Sequence, residues 1–375
     1  MAKSVFILGA GASADAGIPI MDEFISKGLG LKDFSTSAVE LRPFARMEKA
    51  LTDLSSSIFS KSNADLDNIE DVFGLIEMGR LIDKFPGCNN SEEIEELRTS
   101  VIKFIVATIE HTNTYENSPG VVKSPQGTYN HFADELLRPM FMFGLSASVI
   151  TFNYDIALDY ALKSYNVPYD YSLAPSAVGN SIKYLKLHGS INWASCPKCN
   201  HIFPQNVDLS FNDRDGRPYL TKPLGRSILK IGSIIGKNMC RGACQTNMRE
   251  IPILVPPTWN KTEYGNYLSP VWRAAAAELT EAENVFVIGY SLPKSDLFFK
   301  YLFSLGTINA SRRLQRFWVF NPESSIKERF DNIVGPGIKS RAYRFFDGPN
   351  GYFDKAVDEI WKALGIDDIM GKSGF

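Results

Sequence analysis

Four groups of residues in this chain have the types and spacing to do chemistry. The first, Gly9-Ala10-Gly11-Ala12-Ser13-Ala14, comes directly after the apolar run at 5–8. A strand, a G-x-G-x-x-A turn and a helix start allow the backbone to turn sharply and approach a diphosphate closely. The helix start then offers N–H groups and the positive end of its dipole. Ser13 adds a hydroxyl donor. An ordinary tight strand-to-helix turn has the same pattern, so the turn gains meaning only from what shares its end of the sheet. The second and third groups are Thr151-Phe152-Asn153-Tyr154-Asp155 and Leu187-His188-Gly189-Ser190, each closing an apolar run. Ligands of open α/β sheets bind at the carboxyl ends of strands, so an amide, a carboxylate and an imidazole are expected in one crevice with the glycines. A histidine buried on a backbone carbonyl is the competing fate for His188.

The fourth group is Cys196-Pro197-Lys198-Cys199 with Cys240-Arg241-Gly242-Ala243-Cys244. Four thiolates in two knuckles suit a closed tetrahedral zinc site, which leaves no open position for catalysis. Unligated thiols are the alternative, as is a site in which His201 replaces one cysteine. With Cys88 the chain has five cysteines, an odd number that fits a reducing compartment better than a disulfide framework.

The elements that must position these groups follow from hydrophobic pattern. Apolar runs at 5–8, 148–152, 184–187, 253–255, 285–288 and 317–320 are near-continuous, as strands buried on both faces of a parallel sheet require. Helical patterns fall at 66–81, 92–109, 133–142, 156–164, 271–282 and 355–364. The pattern predicts an α/β fold with a Rossmann-like central parallel sheet. Residues 1–29, 127–193 and 250–375 would form it, with 30–126 as a helical insertion and 194–249 as a small zinc-binding module. A dehydrogenase would place a second strand and a ribose-binding acid about 20 residues after the glycines. No strand precedes Asp33 here, which counts against hydride transfer.

Forty basic against 42 acidic residues, a net charge of −2 and the lack of a Lys/Arg block disfavour direct nucleic-acid binding and anionic membranes. No apolar run reaches the roughly 20 residues of a membrane span, and the amino terminus lacks the pattern of a signal peptide. A cytoplasmic protein is expected.

In this order the segments resemble the sirtuin family. Gly9-Ala10-Gly11-Ala12-Ser13 with Gly17-Ile18-Pro19 is similar to its G-A-G-x-S…G-I-P opening. Thr151–Asp155 is similar to T-x-N-x-D, Leu187–Ser190 to L-H-G-S, and Gly289-Tyr290-Ser291-Leu292 to G-x-S-L, while Asn321 matches an asparagine that reads the adenosine ribose. The resemblance implies NAD as substrate and cleavage of its nicotinamide–ribose bond. It implies His188 as general base, with Asn153 and Asp155 orienting the ribose, the carboxamide or water. It places Gly9, Ala10, Gly11 and Ser13 on the diphosphate and Gly289, Ser291 and Asn321 on the adenosine half. A structural zinc on Cys196, Cys199, Cys240 and Cys244 also follows from it. The chemistry agrees: nicotinamide leaves a cationic pyridinium as a neutral molecule, so the site needs a fixed ribose and a base rather than a proton for the leaving group.

The chain departs from the deacylases of that family. Gly17-Ile18-Pro19 is followed by Ile20-Met21-Asp22-Glu23-Phe24 rather than D-F-R, and Val255-Pro256-Pro257-Thr258 stands where F-G-E is expected. Two prolines withhold N–H groups from any peptide strand pairing there. Water is therefore the expected acceptor, giving nicotinamide and ADP-ribose. Segments 255–258 and 68–73 resemble sirtuin-like NADases of bacterial anti-phage defence. That branch implies NAD depletion, a homo-oligomer, and in some members a HerA-like ATPase or another defence partner. Residues 68–73 read equally as an amphipathic helix start. An NAD-dependent protein deacylase or ADP-ribosyltransferase, and a non-catalytic nucleotide-sensing subunit, remain as alternatives.

Overall fold

Ser4–Leu8 is buried at every position, because a strand at the middle of a parallel sheet meets helices on both faces. We name it β1. With β2 (Ala147–Thr151), β3 (Tyr169–Asp170), β4 (Ile182–Lys186), β5 (Asn284–Ile288), β6 (Arg316–Phe320) and β7 (Tyr343–Phe346) it forms an all-parallel sheet. The order is β7-β6-β5-β1-β2-β4-β3. In register, Ser4 and Leu8 of β1 pair with Asn284 and Ile288 on one side and with Ala147 and Thr151 on the other. The chain leaves β1 in one direction and returns to its other side at β5. The topological switch point therefore lies between β1 and β5, where such sheets open a crevice at their carboxyl ends.

The computed structural model describes residues 3–34, 38–57, 65–113, 117–118, 121–122, 127–174, 180–205, 219–221, 228–237, 239–240, 244–255, 262–293, 297–307 and 312–368. The chain divides into two units: residues 1–16, 123–189 and 262–375, and residues 17–122 and 190–261. The first contains the sheet. Helices Ala157–Ser164, Thr262–Thr280, Leu297–Gly306 and Phe353–Leu364 belong to it, as does a helical stretch from Thr128 to Met142 with one π turn at Phe132–Leu137. Aromatic rings fill the layers. Phe6 meets Phe132 edge-on at 5.2 Å and Phe286 at 5.6 Å, and Phe320 stacks on Phe346 at 4.4 Å.

The run at 253–255, expected to be a strand, is not part of this sheet. Ile253 donates to the Trp193 carbonyl and accepts from Ser190 N–H, and both partners lie in the other unit with it. Pro252 before it and Pro256-Pro257 after it lack the N–H groups that a ladder needs. Its apolar character reflects burial alone.

In the second unit, helix Ser91–Thr112 is central and packs against Met21–Gly30, Ala38–Ser57 and Ile69–Leu81. Gly28 permits the close approach: a Cβ there would lie 2.4 Å from the Phe104 ring. Asn90 and Asn68 cap helices through Glu93 and Glu70 N–H, so 68–73 is the start of helix Ile69–Leu81. The same central helix reaches the cysteine segment. The Glu110 carboxylate accepts Ile231 N–H at 2.7 Å, and Lys103 pairs with Glu250 at 3.0 Å. The helical insertion and the cysteine segment, separate in sequence, thus share one unit. No helix among the described residues is long and apolar enough to cross a membrane.

Candidate functional site

β1 ends at Leu8, and the next residues turn back in a short helix, Ala10–Ser13, followed by a 3-10 turn at Ala14–Ala16. The turn is tight because three glycines meet. A Cβ on Gly9 would lie 2.4 Å from Tyr290 Cα, and one on Gly11 would lie 2.9 Å from the Gly289 carbonyl oxygen. Gly289 has φ +62°, and a Cβ there would lie 2.3 Å from Ala12 N. Gly9 N–H is donated to Ile288 and Gly11 N–H to Gly289 at 2.9 Å. The N–H groups of both glycines are thus engaged within the chain. Among the described residues, Ala10 is left as the open donor of this turn. The glycines serve close backbone packing at the switch point.

Ser13 is buried and turned inward. Its hydroxyl donates to Asp155 Oδ2 at 2.7 Å, and its oxygen accepts from Asn153 Nδ2 at 2.8 Å. The Tyr129 hydroxyl lies 2.9 Å from the same oxygen. With Ser13's one proton committed to Asp155, Tyr129 is the donor in that contact. Asn153 Nδ2 also donates to the Gly9 carbonyl at 2.8 Å, which ties the end of β2 to the turn after β1. Thr151 strengthens that tie: its hydroxyl donates to the Leu8 carbonyl and accepts Asn153 N–H, each at 3.1 Å. Asn153 Oδ1 accepts nothing among the described residues, and the residue is half-buried. An acceptor at the carboxyl end of a central strand is therefore free for a ligand.

Both carboxylate oxygens of Asp155 are used internally, Oδ2 on Ser13 and Oδ1 on Ala157 N–H at 2.9 Å. Burial raises the Asp155 carboxyl above its ordinary range, and the neighbouring Lys186 charge and these two hydrogen bonds only partly oppose it. Burial likewise pushes the Tyr129 phenol upward, so it stays protonated as a donor.

His188 is buried in the tight corner after β4, where Gly189 takes φ +86°. The Leu187 N–H is donated to Thr151, and the Leu187 carbonyl accepts from Trp272 Nε1 at 3.1 Å. The imidazole meets Phe152 edge-on at 5.1 Å and Tyr154 at 6.3 Å, the two rings flanking Asn153 in the chain. Phe152 stacks on Tyr290 at 4.5 Å, so a run of aromatic rings joins the His188 corner to the loop after β5.

On the β5–β6 side the expected residues are more loosely associated. The Ser291 carbonyl accepts from Arg329 at 3.0 Å, and Leu292 beside it takes φ +49°, a strained setting for a branched side chain. Asn321 follows β6, but its Oδ1 accepts Glu323 N–H at 2.9 Å and so turns into its own loop. Sequence reasoning did not single out Tyr129, whose hydroxyl reaches Ser13, or Lys186, which donates to the Asp155 carbonyl. Only Lys186 left a signal, a lysine inside the apolar run 184–187.

In the second unit Cys196, Cys199, Cys240 and Cys244 come together, all four sulfurs within 4.8 Å of one another. Strands Trp193–Ser195 and Ile202–Pro204 pair antiparallel and present the first knuckle, with Asn200 at φ +58° in its turn. A bridge between Met239 and Asn247 presents the second. Four sulfurs at about 2.3 Å from a tetrahedral zinc would stand about 3.8 Å apart. Cys199 and Cys240 Sγ are 3.9 Å apart, so the set fits such an ion. Backbone N–H groups of Cys199 and Lys198 favour the Cys196 thiolate, the form that binds metal, while contacts with the Cys199 and Cys196 sulfurs push the Cys244 thiol up. His201 is not among these ligand atoms.

No family model and no curated protein matches the chain. Among solved structures it is similar to a Sir2 homologue in complex with NAD, at 16% identity over 97% of this chain and 91% of that one, with a TM-score of 0.43. A Sir2 structure with a p53 peptide and NAD+ gives 15%, 97%, 94% and 0.42. Likeness this low carries no argument about chemistry, and the site stands on the geometry above.

Proposed function

We propose that the chain is a sirtuin-like NAD+ glycohydrolase, taking NAD at the carboxyl ends of β1 and β5 and breaking its nicotinamide–ribose bond with water. The observation that carries this reading is the convergence at the glycine turn: the Asn153 amide lies 2.8 Å from both the Gly9 carbonyl and Ser13 Oγ, and its own oxygen stays open. In this reading the close-packed glycines and the Ala10 N–H admit the diphosphate. Gly289, Ser291 and Asn321 border the adenosine half. Asn153 Oδ1 accepts from the carboxamide or a ribose hydroxyl. Ser13 and Asp155 hold Asn153 in that pose, and His188 takes the proton from water or from the ribose hydroxyl that activates it. Nicotinamide departs neutral, so no acid is required. Bound by Cys196, Cys199, Cys240 and Cys244, zinc would have a closed coordination shell and a structural role.

The sequence segment at 255–258 supports a setting in anti-phage defence by NAD depletion, to which 68–73, a capped helix start, adds little. That setting implies assembly as a homo-oligomer, with a HerA-like ATPase as the partner to try first. Residues 256–258, on which the case against a peptide groove rests, lie outside the described residues.

The test is incubation of the purified chain with NAD alone, following nicotinamide by chromatography before and after adding a candidate partner. Release without any peptide is expected, with Asn153→Ala and His188→Ala each losing it while remaining folded. Wild-type turnover in both variants would end the assignment. A rate near zero that rises steeply with an acyl-lysine peptide would make the chain a deacylase.

A further inference from the structure

Lys186 ends β4, and its side chain is 0% exposed. Its Nζ donates to the backbone carbonyl of Asp155 and to Asp159 Oδ2 at 3.2 Å, and it lies 5.4 Å from the centre of the Tyr184 ring. Asp159, on the first turn of helix Ala157–Ser164, is equally buried. Its carboxylate also accepts the Tyr171 and Tyr184 hydroxyls, the latter at 3.1 Å. A fully buried ion pair is not explained by stability. Desolvating both charges offsets most of their attraction, and two well-packed apolar side chains would hold the fold as well. Such a pair could not give the Asp155 carbonyl a hydrogen bond. That carbonyl belongs to the residue whose carboxylate fixes Ser13, and Ser13 in turn fixes the Asn153 amide.

We infer that Lys186, anchored by Asp159, is a positioning residue that holds the Asn153–Asp155 turn in its working shape. The inference rests on the assignment of that turn to NAD cleavage. In this role Lys186 acts through the Asp155 carbonyl.

Lys186→Met alone would leave Asp159 buried without its cation and endanger the fold. The informative variant is therefore Lys186→Met/Asp159→Asn, which removes both charges while the new amide still meets the two tyrosine hydroxyls. Two measurements decide. Hydrogen–deuterium exchange without NAD should quicken about tenfold across 153–157 while β1 and β5 keep their protection. In the nicotinamide assay kcat should fall about tenfold or more with KM for NAD held within about twofold, the signature of a misplaced group rather than lost binding. Wild-type exchange across 153–157, wild-type kcat, or unfolding of the double variant would each overturn the inference. If the wild-type chain releases no nicotinamide at all, the functional assignment falls instead, and the exchange measurement alone decides whether Lys186 clamps the turn.

Discussion

Gly289→Ala is the substitution with the most calculable effect. Gly289 has φ +62°, a region that costs an L-residue about 1–2 kcal/mol. The added Cβ would also stand 2.3 Å from Ala12 N and 2.6 Å from Gly11 C. These are backbone atoms of a hydrogen-bonded turn, so no rotamer change can relieve the contact. Overpacking of this kind costs about 1–3 kcal/mol. Together the two effects amount to about 2–5 kcal/mol of stability, unless the glycine turn shifts away from β5. Such a shift would break the Gly11–Gly289 hydrogen bond and, in the proposed reading, turn the Ala10 N–H away from the diphosphate. Urea unfolding measures the first outcome and calorimetric titration with ADP-ribose the second. The expectation is either a loss of that size or, where the turn moves, affinity weaker by about tenfold or more. An alanine variant with wild-type stability and wild-type ADP-ribose affinity would refute the claim that the three glycines exist for close backbone approach.

Two further predictions concern charge and metal. Asp155→Asn removes the buried charge but offers one acceptor oxygen to the two donors, Ser13 Oγ–H and Ala157 N–H, so its informative readout is the pH dependence of its stability relative to wild type. Burial raises the folded-state carboxyl above its ordinary 3.8, so wild-type stability falls as pH climbs from 3.8 through the raised value and stays reduced above it. Urea titrations between about pH 4 and 8 should show the variant's stability relative to wild type falling toward the acid end, and a relative stability that rises there would contradict the assignment. For the cysteine cluster, the purified chain should hold about one zinc by elemental analysis, and a chelator should lower its unfolding temperature. Cys240→Ser should already be metal-poor, with the chelator moving it little; a wild-type zinc content in Cys240→Ser would remove the four-thiolate site.

What could be read from the sequence was whatever is local. β1, β2, β5 and β6 are near-continuous apolar runs because they are buried on both faces; Gly9, Gly289 and Asn321 directly follow β1, β5 and β6, and Asn153 lies two residues beyond β2. β3 is two residues long and β7 carries Arg344 among half-buried aromatics, so neither has the pattern of a central strand. The run at 253–255 has that pattern without being a strand, since hydrophobicity reports burial and not pairing. For the candidate site, residue type and strand end put forward Asn153, Asp155 and His188. Direction was not legible, because it is set by partners far away in the chain. Tyr129 reaches Ser13 across 116 positions and Gly289 consumes the Gly11 N–H.

That difference changes the chemistry assigned to Ser13. By its place in the glycine turn it is a hydroxyl offered to a diphosphate. By its contacts it is a buried relay whose proton and lone pairs are already committed to Asp155, Asn153 and Tyr129. A side chain so committed cannot gain a ligand without releasing a partner, and each partner is itself buried or holds the turn. In the proposed reading a diphosphate would be met by backbone, where the Ala10 N–H is the donor that the packing of Gly9 and Gly11 leaves open. The hydroxyl's contribution is to keep one amide still. On this view the selective requirement at the turn is for small residues that let two strands' loops touch, and for a polar relay short enough to fit beneath them.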